Sequence, residues 1–145
     1  MTTVKTCLAQ KPSQLISVTS DAPVQRALEL MKAHRVRSVL VIDDGRLTGI
    51  ITQGDCAIRV LLEGRDARVT PVADIMTRDP MTVKPGDPLE ACMGLMASRN
   101  FRHLPVVDGG KLIGVISIGD IVKDMIHQLG QQVSYLETYI KGHGG

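Results

Sequence analysis

Residues 49–55 read Gly49-Ile50-Ile51-Thr52-Gln53-Gly54-Asp55, and the pattern returns as Gly114-Val115-Ile116-Ser117-Ile118-Gly119-Asp120. The copies stand 65 positions apart, and their flanks repeat with them. Laid without a gap over Met81–Ile126, the segment Ile16–Leu61 pairs Val18 with Val83, Pro23 with Pro88, Met31 with Met96, Arg37 with Arg102, Asp43 with Asp108 and Gly45 with Gly110. A repeat of this length is one supersecondary unit used twice. A unit of about 50 residues is marginal as an independent core, so the copies are expected to pack together and share one interior.

Outward from the motif, the periodicities give the same order of elements in each copy. Leu15–Val18 reads as a brief strand. Asp21-Ala22-Pro23 starts a helix, with Asp21 as capping acceptor and Pro23 in the first turn. Val24, Ala27, Leu28 and Met31 recur at helical spacing to near His34. Val39–Ile42 is a β-branched apolar run closed by Asp43-Asp44-Gly45, a strand and its hairpin turn. Leu47–Thr52 is the returning strand, in which Gly49 marks a bulge or a close backbone approach. Cys56–Leu62 is a second helix, closed by Gly64.

Repeat two restates this with a Thr82–Val83 strand, a Pro88–Ser98 helix, strands over Leu104–Val107 and Leu112–Ser117, and a helix from Ile121 onward. Each unit is thus β-α-β-β-α, and the fold class is α/β (α+β), helices covering sheets. The domain limits are 1–71 for the first repeat with its N-terminal segment and connector, 72–127 for the second, and 128–145 for a helical tail. Val4–Leu8 and Val72–Thr77 read as equivalent leading segments. In the tail, Val122, Ile126, Leu129, Val133, Leu136 and Ile140 alternate steps of four and three, a heptad seam. It either docks on a neighbouring subunit or folds back on its own body.

Composition narrows the function classes. Of 145 residues 43% are hydrophobic but only 2% aromatic, with no Trp and one Phe. Stacking of bases on an aromatic platform is therefore out of reach, and nucleic acid is not expected as a partner. A net charge of +2 with no long basic run gives no membrane or phosphate-backbone footprint. Cys7, Cys56 and Cys92 form no C-x-x-C pair and read as reduced, buried thiols. With no apolar leader or spanning run, the expected compartment is the cytoplasm. No metal site is expected. His34, His103, His127 and His143 fall in unrelated segments without a nucleophile–base pattern, so no catalytic residues and no enzyme activity are expected.

The Gly-x-x-[Ser/Thr]-x-x-Asp pattern at a strand-to-helix junction has two physical readings. A hydroxyl and a carboxylate three positions apart make a capping box that satisfies orphan backbone N–H groups. The same free N–H groups and hydroxyl receive phosphate, while the Asp can accept hydrogen bonds from the cis hydroxyls of a ribose. The residues alone leave both readings open.

The doubled motif, the run Leu104-Pro105-Val106-Val107-Asp108 and the connector ending Asp74-Ile75-Met76-Thr77 resemble the cystathionine-β-synthase (CBS) domain, which occurs in pairs. The resemblance covers Val4 to Ile126 and extends to the tail Leu136-Glu137-Thr138-Tyr139-Ile140. It implies a pseudo-twofold pair with two clefts for adenosine nucleotides. One cleft would use Thr52 and Asp55 with residues near Val83, the other Ser117 and Asp120 with residues near Val18. Arg37 and Ser38, and their counterparts Arg102 and His103, would face the phosphates. Repeat one departs from the family at Leu40, where Pro is common, so the clefts need not bind equally. The resemblance further implies a homodimeric regulatory module with no required cofactor, whose ligand is AMP, ADP, ATP or an S-adenosyl compound and which signals to a regulated protein. The alternative is a ligand-free scaffold for interaction or dimerisation.

Overall fold

Two β-hairpins closed by the same left-handed turn organise the molecule. Asp44 and Gly45 take φ of 51° and 76°, and Gly109 and Gly110 take 57° and 80°. Positive φ at both central residues is the tight hairpin turn whose twist matches its strands. The computed structural model describes residues 2–10, 15–99 and 101–143. In chain order they form α1 (Val4–Leu8), β1 (Ser17–Val18), α2 (Val24–His34), β2 (Ser38–Asp43), β3 (Arg46–Thr52) and α3 (Gln53–Cys56). After α3 come a π-turn over Ala57–Leu61, a 3-10 turn over Val72–Asp74, β4 (Thr77–Arg78), α4 (Leu89–Arg99), β5 (His103–Asp108), β6 (Lys111–Ser117) and α5 (Ile118–His143).

The strands make a four-stranded sheet in the order β1-β2-β3-β4 and a two-stranded β5-β6 sheet. In each hairpin the register slips by one residue, so Thr48 bulges out opposite the Val41–Ile42 step and Ile113 opposite Val106–Val107. The Thr48 hydroxyl then donates to Asp43 Oδ2 at 2.8 Å. Beside that bulge, Gly49 lies under the connector. A Cβ there would sit 2.6 Å from Met76 Sδ and 2.8 Å from the Thr77 carbonyl. Both readings of Gly49 therefore hold at once.

Four expectations are corrected. The Thr82–Val83 strand shrinks to a single parallel bridge from Val83 to Val106. In repeat one, Leu40 donates its amide to the Ile16 carbonyl at 3.1 Å. The equivalent residue in repeat two is Pro105, which has no N–H to donate. The helix after Asp55 is also not uniform, because an α-turn over Gln53–Cys56 passes into the π-turn. Pro23 is the N-cap of α2 rather than a first-turn residue, and that cap carries no side-chain bond. Asp21 instead accepts from the Thr19 hydroxyl at 2.5 Å.

The fourth correction concerns the interior, which is two clusters of buried side chains rather than one. The first gathers Val18, Val24, Ala27, Met31, Val39, Val41, Ile51, Cys56 and Val60, and adds Val72, Ile75 and Met76. The second gathers Val83, Leu89, Cys92, Met96, Leu104, Val106, Ile116 and Ile121, and adds Val4 and Cys7. Each repeat is thus completed by the segment that leads into the other. The backbone bonds match pair for pair. Val72 N–H donates to the Ala22 carbonyl at 2.8 Å, as Val4 N–H does to Asp87 at 2.9 Å. Val24 N–H donates to Thr70 at 2.9 Å, as Leu89 N–H does to Thr2 at 3.0 Å. The exchange ties the halves together without merging their cores.

Candidate functional site

Each repeat brings its hydroxyl and carboxylate together where the hairpin's second strand turns into a helix. Thr52, in extended conformation, caps α3: its Oγ1 accepts from the Asp55 amide at 3.1 Å, while Asp55 Oδ2 accepts from the Thr52 amide at 3.0 Å. Ser117 and Asp120 repeat this at the head of α5, with bonds of 3.1 and 2.8 Å. Both motifs are therefore capping boxes in this structure. A capping box occupies one oxygen of the carboxylate and the acceptor side of the hydroxyl, whose proton can still be donated outward. Gly54 and Gly119 are exposed inside the motif. A Cβ at either would meet only the motif hydroxyl, at 3.7 and 3.6 Å, so the helix head is bare backbone.

The basic candidates lie beside these heads. The Arg37 carbonyl accepts from the Gln53 amide at 3.1 Å, and the Arg102 carbonyl from the Ile118 amide at 2.9 Å. Ser38 pairs with Thr52 across the hairpin, and His103 with Ser117. Arg37 and Arg102 are exposed, and Ser38 and His103 half-buried. Within each repeat, then, the hydroxyl and the carboxylate form one local group with Arg37 and the uncharged Ser38, or with Arg102 and His103.

Val18 and Val83 stand differently. Their side chains are buried, each in the core of its own repeat, and both backbone groups of Val83 bond to β5. Neither side chain is left to touch a ligand. Because side chains alternate along an extended segment, exposure passes to Ser17 and Thr19 around Val18, and to Thr82 and Lys84 around Val83.

Two charged residues escaped notice in the sequence although the repeat makes them equivalent. Arg59 Nη1 donates to the Ile75 carbonyl at 2.9 Å, and Asp124 Oδ1 accepts from Gln10 at 3.3 Å. Each fastens the exchanged segment onto its helix. Asp124 is buried and also accepts from Gln128 at 3.0 Å. The available signal was a charged residue three positions after a buried one, Cys56 or Ile121, on the same helix.

Electrostatics hold the thiols of Cys56 and Cys92 in their protonated form. Burial, and next the Asp55 carboxylate, push the Cys56 thiol up to about 11. Burial, and next Asp87, raise Cys92 as well. Thiols held protonated are poor nucleophiles. Among the described residues no group of three or more His, Cys, Asp or Glu is placed to hold a metal ion, and no helix is long and apolar enough to cross a membrane. A cavity of about 690 Å³ opens beside α3, walled by Leu28, Gln53, Cys56, Val60 and Leu61. Thr52 and Asp55 do not line it, although Gln53 between them does.

The CBS-domain family model matches residues 11–61 and again 72–127. The chain is 36% identical over 109 residues to the CBS domain-containing protein YhcV of Bacillus subtilis, covering 75% of this chain and 77% of that one. It is 35% identical over 129 residues to the mitochondrial CBS domain-containing protein CBSX3 of Arabidopsis thaliana, covering 86% of this chain and 63% of that longer protein. A CBS-domain protein from Burkholderia ambifaria superposes with a TM-score of 0.84 at 42% identity, over 87% of this chain and 95% of its own. At 25% identity and a TM-score of 0.74, the CBS domain pair of protein MJ0100 was solved with 5′-methylthioadenosine and S-adenosyl-L-methionine, the match spanning 86% of this chain and 99% of its own. A hexameric CBS-CP12 protein from bloom-forming cyanobacteria matches at 27% and 0.77, over 84% of this chain and 70% of that one.

Proposed function

The chain belongs to the CBS-domain family, as a pair of such domains, and from that premise we propose that it is a regulatory module binding an adenosine nucleotide in clefts between its repeats. The observation that carries this reading is the hydroxyl–carboxylate pair standing at a bare helix head in both repeats, with Arg37 or Arg102 beside it. The helix head and hydroxyl would receive phosphate, and the Arg would add a charged fork. Asp55 and Asp120 would take the ribose hydroxyls. The adenine would lie against Thr82 and its neighbours in one cleft and against Ser17 and Thr19 in the other. AMP, ADP and ATP present all of these groups, whereas S-adenosyl compounds present the adenine and ribose without a phosphate, and the MJ0100 pair with its ligands supports the adenosine class.

The module acts as a homodimer, in the cytoplasm, without catalysis of its own. It transmits a signal to a regulated protein if ligand binds one arrangement more tightly than another, since equal affinity shifts nothing. Mass spectrometry of the natively purified protein is expected to find a co-purifying adenosine compound, and millimolar nucleotide is expected to raise the melting temperature. No bound compound and no rise with any of the four ligands would overturn the reading. One observation favours a second reading: both Asp–hydroxyl pairs already close capping boxes on themselves. A ligand-free scaffold, as the hexameric relative suggests by its assembly, is what that negative result would leave.

A further inference from the structure

The parallel ladder that opens each repeat is complete in one and a bond short in the other. In repeat one the Leu40 amide donates to the Ile16 carbonyl at 3.1 Å. The equivalent pair in repeat two is Pro105 and Met81, and a proline has no N–H to give. The remainder of that ladder is made: Val83 N–H donates to the Pro105 carbonyl and Val107 N–H to the Val83 carbonyl, both at 2.9 Å. The Met81 side chain packs against the second core cluster. The peptide between Met81 and Thr82 is therefore held from both sides, by the core before it and by the ladder after it. Among the described residues its carbonyl receives no hydrogen bond, and Thr82 beside it is exposed. A backbone acceptor in that position calls for a donor from outside the chain.

We infer that the Met81 carbonyl is the specificity-determining group of the cleft proposed for Thr52 and Asp55, where it selects a 6-aminopurine by accepting from the exocyclic amine. The inference rests on the nucleotide reading above and deepens it by saying which base is taken, and in which cleft. A backbone carbonyl can only accept. Adenine carries an amino donor at position 6, where guanine and hypoxanthine carry an oxo acceptor. A 6-oxo base would set two acceptors against each other at Met81. In the other cleft the Ile16 carbonyl stands at the equivalent place, before Ser17 and Thr19, but the Leu40 amide already spends it within the sheet. The clefts match in their capping boxes and differ in base selection: the Thr82 side discriminates for adenine, and the Ser17 side discriminates less. The cause is one residue, proline in repeat two and leucine in repeat one.

Titration calorimetry of the full chain with AMP and with IMP, its 6-oxo counterpart, tests this. Asp120→Ala leaves the Thr82-side cleft to be read, and Asp55→Ala the Ser17-side cleft. AMP is expected to bind about tenfold tighter than IMP in Asp120→Ala, and within about twofold of it in Asp55→Ala, as the presence or absence of one neutral hydrogen bond requires. Pro105→Ala adds the missing amide back. The amide restored at position 105 is expected to be protected from hydrogen exchange by its bond to Met81, and in the Asp120→Ala background the preference for AMP is expected to fall to about twofold. Binding of neither nucleotide to the wild type overturns the nucleotide reading, and this inference falls with it. Equal affinity for the two in Asp120→Ala, or no binding there while the wild type binds, overturns the inference alone. A preference that survives Pro105→Ala with the restored amide protected removes Met81 from the role. A restored amide that exchanges freely overturns the geometry, since it then does not face the Met81 carbonyl.

Discussion

The Val4 amide donates to the Asp87 carbonyl at 2.9 Å, and through that bond the N-terminal segment serves the second repeat. Its counterpart, from Val72 to Ala22, puts the connector into the first. A half whose core is closed by the other half's leading segment cannot move as a free body.

Val4→Ala should therefore loosen repeat two, and Val72→Ala repeat one. Removing two methyls from a fully buried Val costs about 1.5–3 kcal/mol. Hydrogen exchange should quicken first in β5 and β6 for Val4→Ala, and first in β2 and β3 for Val72→Ala. The reverse order would mean that the exchanged segments do not support the cores they enter.

The motif carboxylates separate binding from capping by magnitude. Asp55→Ala or Asp120→Ala should weaken nucleotide binding by about 1.5–3 kcal/mol, tenfold to roughly a hundredfold or more. Thr52→Ala and Ser117→Ala, which remove the cap acceptors, should lower stability by about 0.5–2 kcal/mol. Titration calorimetry beside chemical denaturation reads both. If the Asp variants lose stability and keep full affinity, the carboxylates only cap their helices.

The two strand glycines are equivalent in sequence and unequal in tolerance. At Gly49 an added Cβ meets a backbone carbonyl that cannot move aside, whereas at Gly114 it meets the end of the Leu8 side chain at 3.0 Å. Gly49→Ala is expected to cost about 1–3 kcal/mol by overpacking. Gly114→Ala should cost less, because Leu8 can shift. Urea midpoints at unchanged slope will rank them.

Asp43 carries a pH signature. Hydrogen bonds from Ser20, and after them from the Thr48 hydroxyl, hold its carboxyl below the ordinary 3.8. The folded state thus binds this proton less readily than the unfolded state does. The contribution is fully present above the ordinary value and is lost as pH falls through the lowered one. Asp43→Asn should be less stable than wild type at neutral pH, and its stability should fall less steeply below pH 3.8. Parallel acid-unfolding curves would show that the bonds do not survive in solution.

Much of the fold was legible in the residues. Asp44-Gly45 and Gly109-Gly110 announce their turns because few residues accept positive φ. The stripes of α2 and α4 announce buried faces because burial repeats at helical spacing. The capping boxes of Thr52 with Asp55 and Ser117 with Asp120 were visible as spacing, being made within four residues. Proline read ambiguously: Pro105 looks like any strand residue until the Ile16–Leu40 bond shows which amide it lacks.

By itself the chain determined much of what neighbours along it decide: two copies, their turns, the capping boxes at the heads of α3 and α5 and the apolar rhythm of the tail. Local geometry needs no distant partner. Tertiary structure alone decided which half each leading segment completes, that Val18 and Val83 spend their side chains in the cores, and which face of α5 stays uncovered. Those outcomes depend on contacts between residues far apart in sequence, where many pairings satisfy the same pattern and only simultaneous packing selects one.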